Sequence, residues 1–249
     1  VTEIIRTEGV VLRRRDFGES SRIAVVYTRD AGKLQLLAKG ARVLKNKFGA
    51  ALEPLTHGEF VFYWREGKDL FTLAETAIIT PGRYLREDAR SLPYGLAVVE
   101  ATDKLSGEGD ADAALYELVA ASVAALDDGG PPAALLSQFL VKLAARLGLK
   151  PDIAKCSRCG RANPREGVAL VLKEGTVVCR DCQPAGGDLI TLSPAAYNYV
   201  RTLASLEPAR LGLVKAGPEL VEQTLSFIRA HLRYHTGLEI KSLAFADLF

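Results

Sequence analysis

The residues with the clearest chemistry are four cysteines, Cys156-x2-Cys159 and Cys179-x2-Cys182, with nineteen residues between the pairs. Two such pairs at this separation have the spacing of a four-thiolate zinc site. Each Cys-x2-Cys turn aims two sulfurs at one tetrahedral edge and leaves backbone amides free to donate to them. Gly160 follows the first pair, where closing such a turn favours a residue with positive φ. Four protein ligands leave no open position, so one Zn2+ per chain would be structural rather than catalytic. Two other chemistries use paired cysteines. Disulfides need an oxidising compartment, and a redox dithiol needs one pair on a thioredoxin-like unit, of which there is no sign. Between the pairs, residues 168–172 and 176–178 flank Glu174-Gly175 and predict a hairpin. Residues 151–187 therefore read as a zinc-ribbon insert too small to hold itself together without metal.

A second set of residues is basic. From residue 31 to residue 52 there is no acidic side chain, yet Lys33, Lys39, Arg42, Lys45 and Lys47 occur there, preceded by Arg13, Arg14, Arg15 and Arg22. Lysine and arginine make salt-sensitive contacts to phosphate, and Phe17, Tyr27, Tyr63 and Trp64 could stack on bases. The competing reading is a solvated surface whose aromatics are core. The overall charge of +2 hides the asymmetry. Residues 1–51 hold 11 basic and 5 acidic side chains, net +6; residues 52–130 hold 6 and 15, net −9; residues 131–249 hold 15 and 10, net +5. The acidic stretch from residue 100 to 128 reads as solvated helix faces.

Other signals carry no chemistry. Asp16-Phe17-Gly18 spells a kinase metal motif without its catalytic loop or glycine-rich lid. His231 and His235 are four apart on a helix pattern, but Leu232 stands where a metalloprotease needs Glu. With no Walker loop, dinucleotide fingerprint or nucleophile elbow, an enzyme is not expected.

The positioning elements follow from patterning. Val10-Val11-Leu12, then residues 23–28, 33–38, 59–64 and 70–74, read as five strands, with a short helix or ordered loop over 41–51. Five strands with an insertion between the third and fourth fit an OB-fold; an SH3-like barrel or a meander has the same strand count. On an OB barrel the second and third strands, with the loops 1–2 and 4–5, form the usual binding face. That puts Arg15 at the first loop and Arg65 and Lys68 at the second. After Pro81 the pattern turns helical, with helices over 94–105 and 111–126, a third striped by Leu136, Phe139, Leu140, Leu143 and Leu147, and further starts at Ser193-Pro194 and Pro218. The expected architecture is α+β and multidomain. It has an OB-fold DNA-binding domain over 1–80 and a helical domain over 81–249, the latter interrupted by the zinc insert at 151–187. An apolar fraction of 48% argues against disorder, and no apolar run spans a membrane. Residues 1–6 hold no continuous apolar core of a secretory signal, so none is expected. There is no methionine, and nothing in the sequence accounts for its absence.

The run Glu8-Gly9-Val10-Val11-Leu12-Arg13-Arg14-Arg15-Asp16-Phe17-Gly18-Glu19-Ser20-Ser21-Arg22-Ile23 resembles the N-terminal motif of the bacterial RecO DNA repair family. So do Gly32-Lys33-Leu34, Ala38-Lys39-Gly40-Ala41-Arg42 and Ala50-Ala51-Leu52-Glu53-Pro54. Some family members lack part of the cysteine set, whereas this chain has all four. The resemblance implies an OB-fold, a helical domain and a zinc insert in a cytoplasmic, nucleoid-associated recombination mediator. Such a protein binds single- and double-stranded DNA, anneals complementary strands, and with RecR helps RecA replace single-strand-binding protein. Carried over by position, the DNA contacts are Arg13, Arg14, Arg15, Arg22, Lys33, Lys39, Arg42, Lys45 and Lys47. It further implies that the helical domain meets the acidic, apolar C-terminal tail of single-strand-binding protein. The rival reading is a zinc-containing adaptor in transcription or replication with no direct DNA contact.

Overall fold

The computed structural model describes residues 2–43, 46–162, 164–184, 189–206 and 214–248. By internal packing the chain forms two compact units, residues 1–130 with 240–249, and residues 131–239.

The first unit begins with strands β1 (Thr2–Phe17), β2 (Ser21–Thr28), β3 (Gly32–Ala38), β4 (His57–Arg65) and β5 (Leu70–Thr80). They close into a barrel in the order β1-β2-β3-β5-β4. Every neighbour pair is antiparallel except β3–β5, which aligns Gln35, Leu36 and Leu37 with Leu70, Phe71 and Thr72 in parallel. A meander would set β4 beside β3. Here the connection after β3 crosses the barrel end instead, and β4 pairs with β1, which is the OB-fold arrangement.

The longest strand, β1, is barely visible in the sequence, whose apolar signal marks only Val10-Val11-Leu12. It spans sixteen residues because it has two partners, β4 along Thr2 to Val10 and β2 along Gly9 to Phe17. Backbone ladders hold its polar ends, and ladders leave no mark on side-chain type. Gly9 lies where both partners are present, and a Cβ there would sit 2.6 Å from Val26 Cγ1. The register shift between Val11 and Arg13 adds the bend that closure needs.

Val11, Ala24, Val26, Leu34, Leu36, Phe60, Phe62, Phe71 and Leu73 fill the barrel. The connection after β3 contributes Phe48 and Leu52, the latter from the short 3-10 turn Gly49–Leu52, so it works as a plug. Trp64 stacks on Phe71 at 4.4 Å and is packed against this core.

Helices α1 (Arg83–Glu87), α2 (Leu92–Leu105) and α3 (Ala113–Asp127) belong to the same unit. Ile23, Val25 and Tyr27 point away from the barrel core, yet all three are buried. The link between α2 and α3 reaches this face. The Tyr27 hydroxyl reaches the Asp110 carbonyl at 3.5 Å, and Gln35 Nε2 donates to Glu108 at 3.3 Å. Burying such side chains is worth roughly 1.5–3 kcal/mol each. Asp112 caps α3 by accepting from the Ala114 and Leu115 amides. The chain end returns here too. Glu100 on α2 accepts from the Lys241 amide at 3.0 Å and from the Ser242 amide and hydroxyl at 2.9 and 2.5 Å.

In the second unit, α4 (Pro132–Arg146) is the central helix. Leu135, Leu136, Phe139, Leu140 and Leu143 are buried against α5 (Pro194–Ser205) and α6 (Pro218–Thr236). The Ser193 hydroxyl caps α5 and Pro194 opens its first turn, as the sequence predicts. A four-stranded sheet in the order β6-β8-β7-β9 precedes α5: β6 (Asp152–Cys156), β7 (Val168–Val171), β8 (Thr176–Cys179) and β9 (Ile190–Leu192). The expected hairpin is β7–β8, and β9 extends the sheet beyond residue 187. The Tyr197 hydroxyl on α5 lies 2.8 Å from the Ile153 carbonyl and 3.1 Å from that of Ala162, while His231 Nε2 on α6 donates to Leu149 O at 2.7 Å. His231 is thus a packed residue whose burial holds its pKa down. No helix among the described residues is long and apolar enough to cross a membrane.

Candidate metal centre and nucleic-acid interface

The sheet of the second unit gathers the cysteines. Cys156 ends β6, Cys179 ends β8, and the turns that follow carry Cys159 and Cys182. Parallel pairing of β6 with β8 sets the two turns side by side. Gly160 adopts φ +75° and its amide closes the first turn on the Cys156 carbonyl at 2.9 Å. The four sulfurs lie within 4.8 Å of one another. Cys159 Sγ and Cys179 Sγ are 3.7 Å apart, close to the roughly 3.8 Å edge of a tetrahedron with Zn–S bonds near 2.3 Å. A disulfide would need about 2.05 Å.

The electrostatics point the same way. Burial opposes ionisation of Cys156, but amide donors from Cys159, Cys179 and Arg158 bring its thiol down to about 6. The neighbouring Cys179 and Cys159 sulfurs push Cys182 up to about 12, and burial raises Cys179. Four thiols this close cannot all ionise without a cation between them, and a divalent ion removes that repulsion. The four cysteines are positioned to hold a metal ion, and sulfur donors in this geometry are compatible with zinc.

The basic residues separate into groups that the sequence does not distinguish. At one barrel end, Arg22 meets Asp16 at 3.1 Å and Arg42 meets the same carboxylate at 3.3 Å. Arg14 meets Glu53 at 3.0 Å, with Arg22 at 4.0 Å from that carboxylate. The Arg42 amide donates to Ser20 O at 2.9 Å and its guanidinium to Gly18 O at 3.0 Å, lacing the connection onto the β1–β2 turn. Arg15 is exposed, its guanidinium 5.8 Å from the Phe17 ring centroid. Lys39 is exposed at the end of β3, with no ion pair among the described residues. Lys47 donates to Ala74 O at 2.7 Å. Lys45 lies outside the described residues. Arg65 and Lys68, at the β4–β5 turn, are exposed.

Arg13 and Lys33 form a different group. Arg13 Nε donates to Asp103 at 2.6 Å, and Lys33 Nζ donates to the carbonyls of Asp103 and Ser106 at 2.6 and 2.7 Å. The Lys33 side chain is only 11% exposed. The β2–β3 face expected to meet a ligand is therefore covered in part by α2 and the residues after it. Of the aromatics singled out, Tyr27 and Trp64 are packed, while Phe17 and Tyr63 are each 44% exposed.

The acidic stretch is not simply a set of solvated faces. Asp103 holds two barrel cations, Asp112 caps a helix, Glu117 pairs with Arg29 at 2.6 Å, and Glu100 anchors the chain end. Asp16, which reads in the sequence only as part of a chance Asp-Phe-Gly triplet, and Glu53 organise three arginines. Their signal was the lone carboxylate after the arginine triplet and the one acidic side chain that ends the basic run.

Fold and site together define an OB-type barrel protein with a helical unit that carries a four-thiolate metal-binding insert. Comparison with known proteins narrows this class. Residues 3–81 match the family model "Recombination protein O N terminal" and residues 86–244 match "Recombination protein O C terminal". The chain is similar to the DNA repair protein RecO of Bacillus pumilus, at 29% identity over 98% of this chain and 94% of that one. It is 30% identical to that of Symbiobacterium thermophilum over 98% and 97%, and 32% identical to that of Rubrobacter xylanophilus over 93% and 92%. The chain belongs to the RecO family, and its role is in DNA repair.

Proposed function

We propose that the protein is a recombination mediator that binds single- and double-stranded DNA at the basic end of its barrel and anneals complementary strands. With RecR it helps RecA replace single-strand-binding protein on DNA, in the cytoplasm and at the nucleoid. The observation that carries this reading is the cationic rim beside the β1–β2 turn, where Arg15 and Lys39 are exposed next to the Arg14, Arg22 and Arg42 group. Arginine forks there suit phosphate oxygens, and Phe17 offers a stacking face. Lys47 extends the rim and Lys45 is kept as a DNA contact on the family resemblance alone, whereas Arg13 and Lys33 serve the packing of the barrel on α2. Annealing needs screening of two phosphate backbones and makes or breaks no covalent bond, so this reading assigns no catalytic residue. Cys156, Cys159, Cys179 and Cys182 hold Zn2+, which ties the insert together. The cationic segment 131–249, net +5, supplies charge for the acidic tail of single-strand-binding protein.

The test is binding to a single-stranded oligonucleotide across a salt series, followed by annealing of protein-coated strands with and without RecR. Affinity that falls steeply with salt supports phosphate contacts; a flat response removes them. One observation favours the adaptor reading instead, namely that α2 covers part of the β2–β3 face. Replacing Lys39, Arg42, Lys45 and Lys47 by Ala separates the two, because an adaptor would keep its DNA affinity unchanged.

A further inference from the structure

We infer that the cleft beside the four cysteines is a phosphate site, one that takes a phosphodiester of a nucleic-acid strand. The inference rests on the reading of the chain as a DNA-binding protein but uses a surface remote in sequence from the barrel. The cleft measures about 400 Å3, and its lining includes Arg161, Arg165, Arg180, Glu166, Asp181 and Cys179. Its three arginines come from two chain segments, the β6–β7 connection and the turn after β8. Arg161 stands two residues after Cys159, Arg180 directly follows Cys179, and Arg165 lies on the approach to β7. The turns that bring the sulfurs together therefore also bring two guanidiniums to one opening.

Two of these cations are held in place. Arg161 pairs with Asp181 at 2.7 Å and Arg180 with Glu166 at 3.2 Å. Both pairs are exposed, so solvent and salt weaken them, and a doubly accepting phosphate can compete for the same forks. Arg165 is exposed and has no ion pair among the described residues, which leaves the lining with three cations against two carboxylates. Arg158, by contrast, is turned to Glu174 at 2.6 Å and does not line the cleft.

An acidic peptide could meet the same guanidiniums. The lining argues for phosphate, because among the described residues Pro164 is the one bulky apolar side chain in it and none of them would bury the hydrophobic residues of a peptide anchor. A phosphodiester needs only donors, and arginine supplies them in a planar pair.

The experiment uses the full chain as purified and a thymidine oligonucleotide, with binding read by fluorescence anisotropy over a salt series. Arg165→Ala removes a cation with no ion-pair partner, and Arg165→Ala/Arg180→Ala removes two. The single variant should bind about threefold more weakly and the double variant about tenfold. For the double variant the slope of log affinity against log salt should fall by roughly 1.4, since a single strand gives about 0.7 per phosphate. Metal content and circular dichroism, measured alongside, should match the parent. If both variants keep the parent's affinity and slope, the inference is overturned while the barrel reading stands. If the parent itself binds no oligonucleotide, the barrel reading fails and takes the inference with it. If the variants lose binding of an oligoglutamate peptide and keep that of the oligonucleotide, the cleft is a protein site and the phosphate assignment is wrong.

Discussion

Lys33 is held on Asp103 twice over: its ammonium donates to the Asp103 carbonyl at 2.6 Å and lies 3.7 Å from the carboxylate of the same residue. The Ser106 carbonyl accepts a further hydrogen bond from it at 2.7 Å, so a β3 cation closes the C-terminal end of α2. This is the favourable sign for a helix C-terminus, where carbonyls lack partners. A residue that reads as a phosphate contact in the sequence thereby becomes a clasp between barrel and helix.

Lys33→Ala should therefore cost stability rather than DNA affinity. Hydrogen bonds from a charged donor at a largely buried site are worth about 1.5–3 kcal/mol, and the loss should fall in that range. Urea unfolding reads it. Oligonucleotide affinity and its salt slope should stay within error of the parent; a clear drop in slope at unchanged stability would return Lys33 to the DNA-binding set.

Lys39→Ala should behave in the opposite way. Lys39 is exposed and enters no ion pair among the described residues, so stability should move by less than about 0.5 kcal/mol. Single-strand affinity should weaken, with the salt slope falling by about 0.7 if one phosphate contact is lost. An unchanged slope would take Lys39 out of the rim.

Cys179→Ala removes the sulfur 3.7 Å from Cys159 and the strand end that seats it. Zinc content should drop from one equivalent per chain to near zero. Proteolysis should then cut within β6–β8 while the barrel stays protected, because the barrel has its own apolar core. Isolation of the parent without any bound zinc would defeat the metal reading directly.

Glu100 gives the molecule a defined acid response. Its burial alone would raise its pKa, but donors from Lys104, the Ser242 hydroxyl and the Ser242 and Lys241 amides hold it at about 2, below the ordinary 4.5. A carboxyl whose folded pKa is depressed contributes stability above its unfolded value and loses it as pH falls through the folded one. The contribution of Glu100 should thus be complete above pH 4.5 and vanish toward pH 2. Glu100→Gln should cost about 1–3 kcal/mol at pH 7 and little at pH 2, as seen by denaturant unfolding across that range. A gap between variant and parent that does not close with acid would mean that the charge is not what holds residues 241 and 242.

By itself the sequence determined whatever local pattern controls. Cysteine spacing gave the four-thiolate cluster, period-two runs gave the core strands, and Ser193-Pro194 gave the start of α5. It could not give the length of β1, because backbone pairing on two edges leaves no side-chain signature. Nor could it sort the cations. Lys33 and Lys39 are alike in type and six residues apart, yet one clasps α2 and the other meets solvent. Which of the two a lysine becomes depends on what the remote chain lays against it, here Asp103 and Ser106 some seventy residues on. Burial and hydrogen bonding are properties of the packed molecule, so only the tertiary structure could separate a buried clasp at Lys33 from an exposed cation at Lys39 within one basic run.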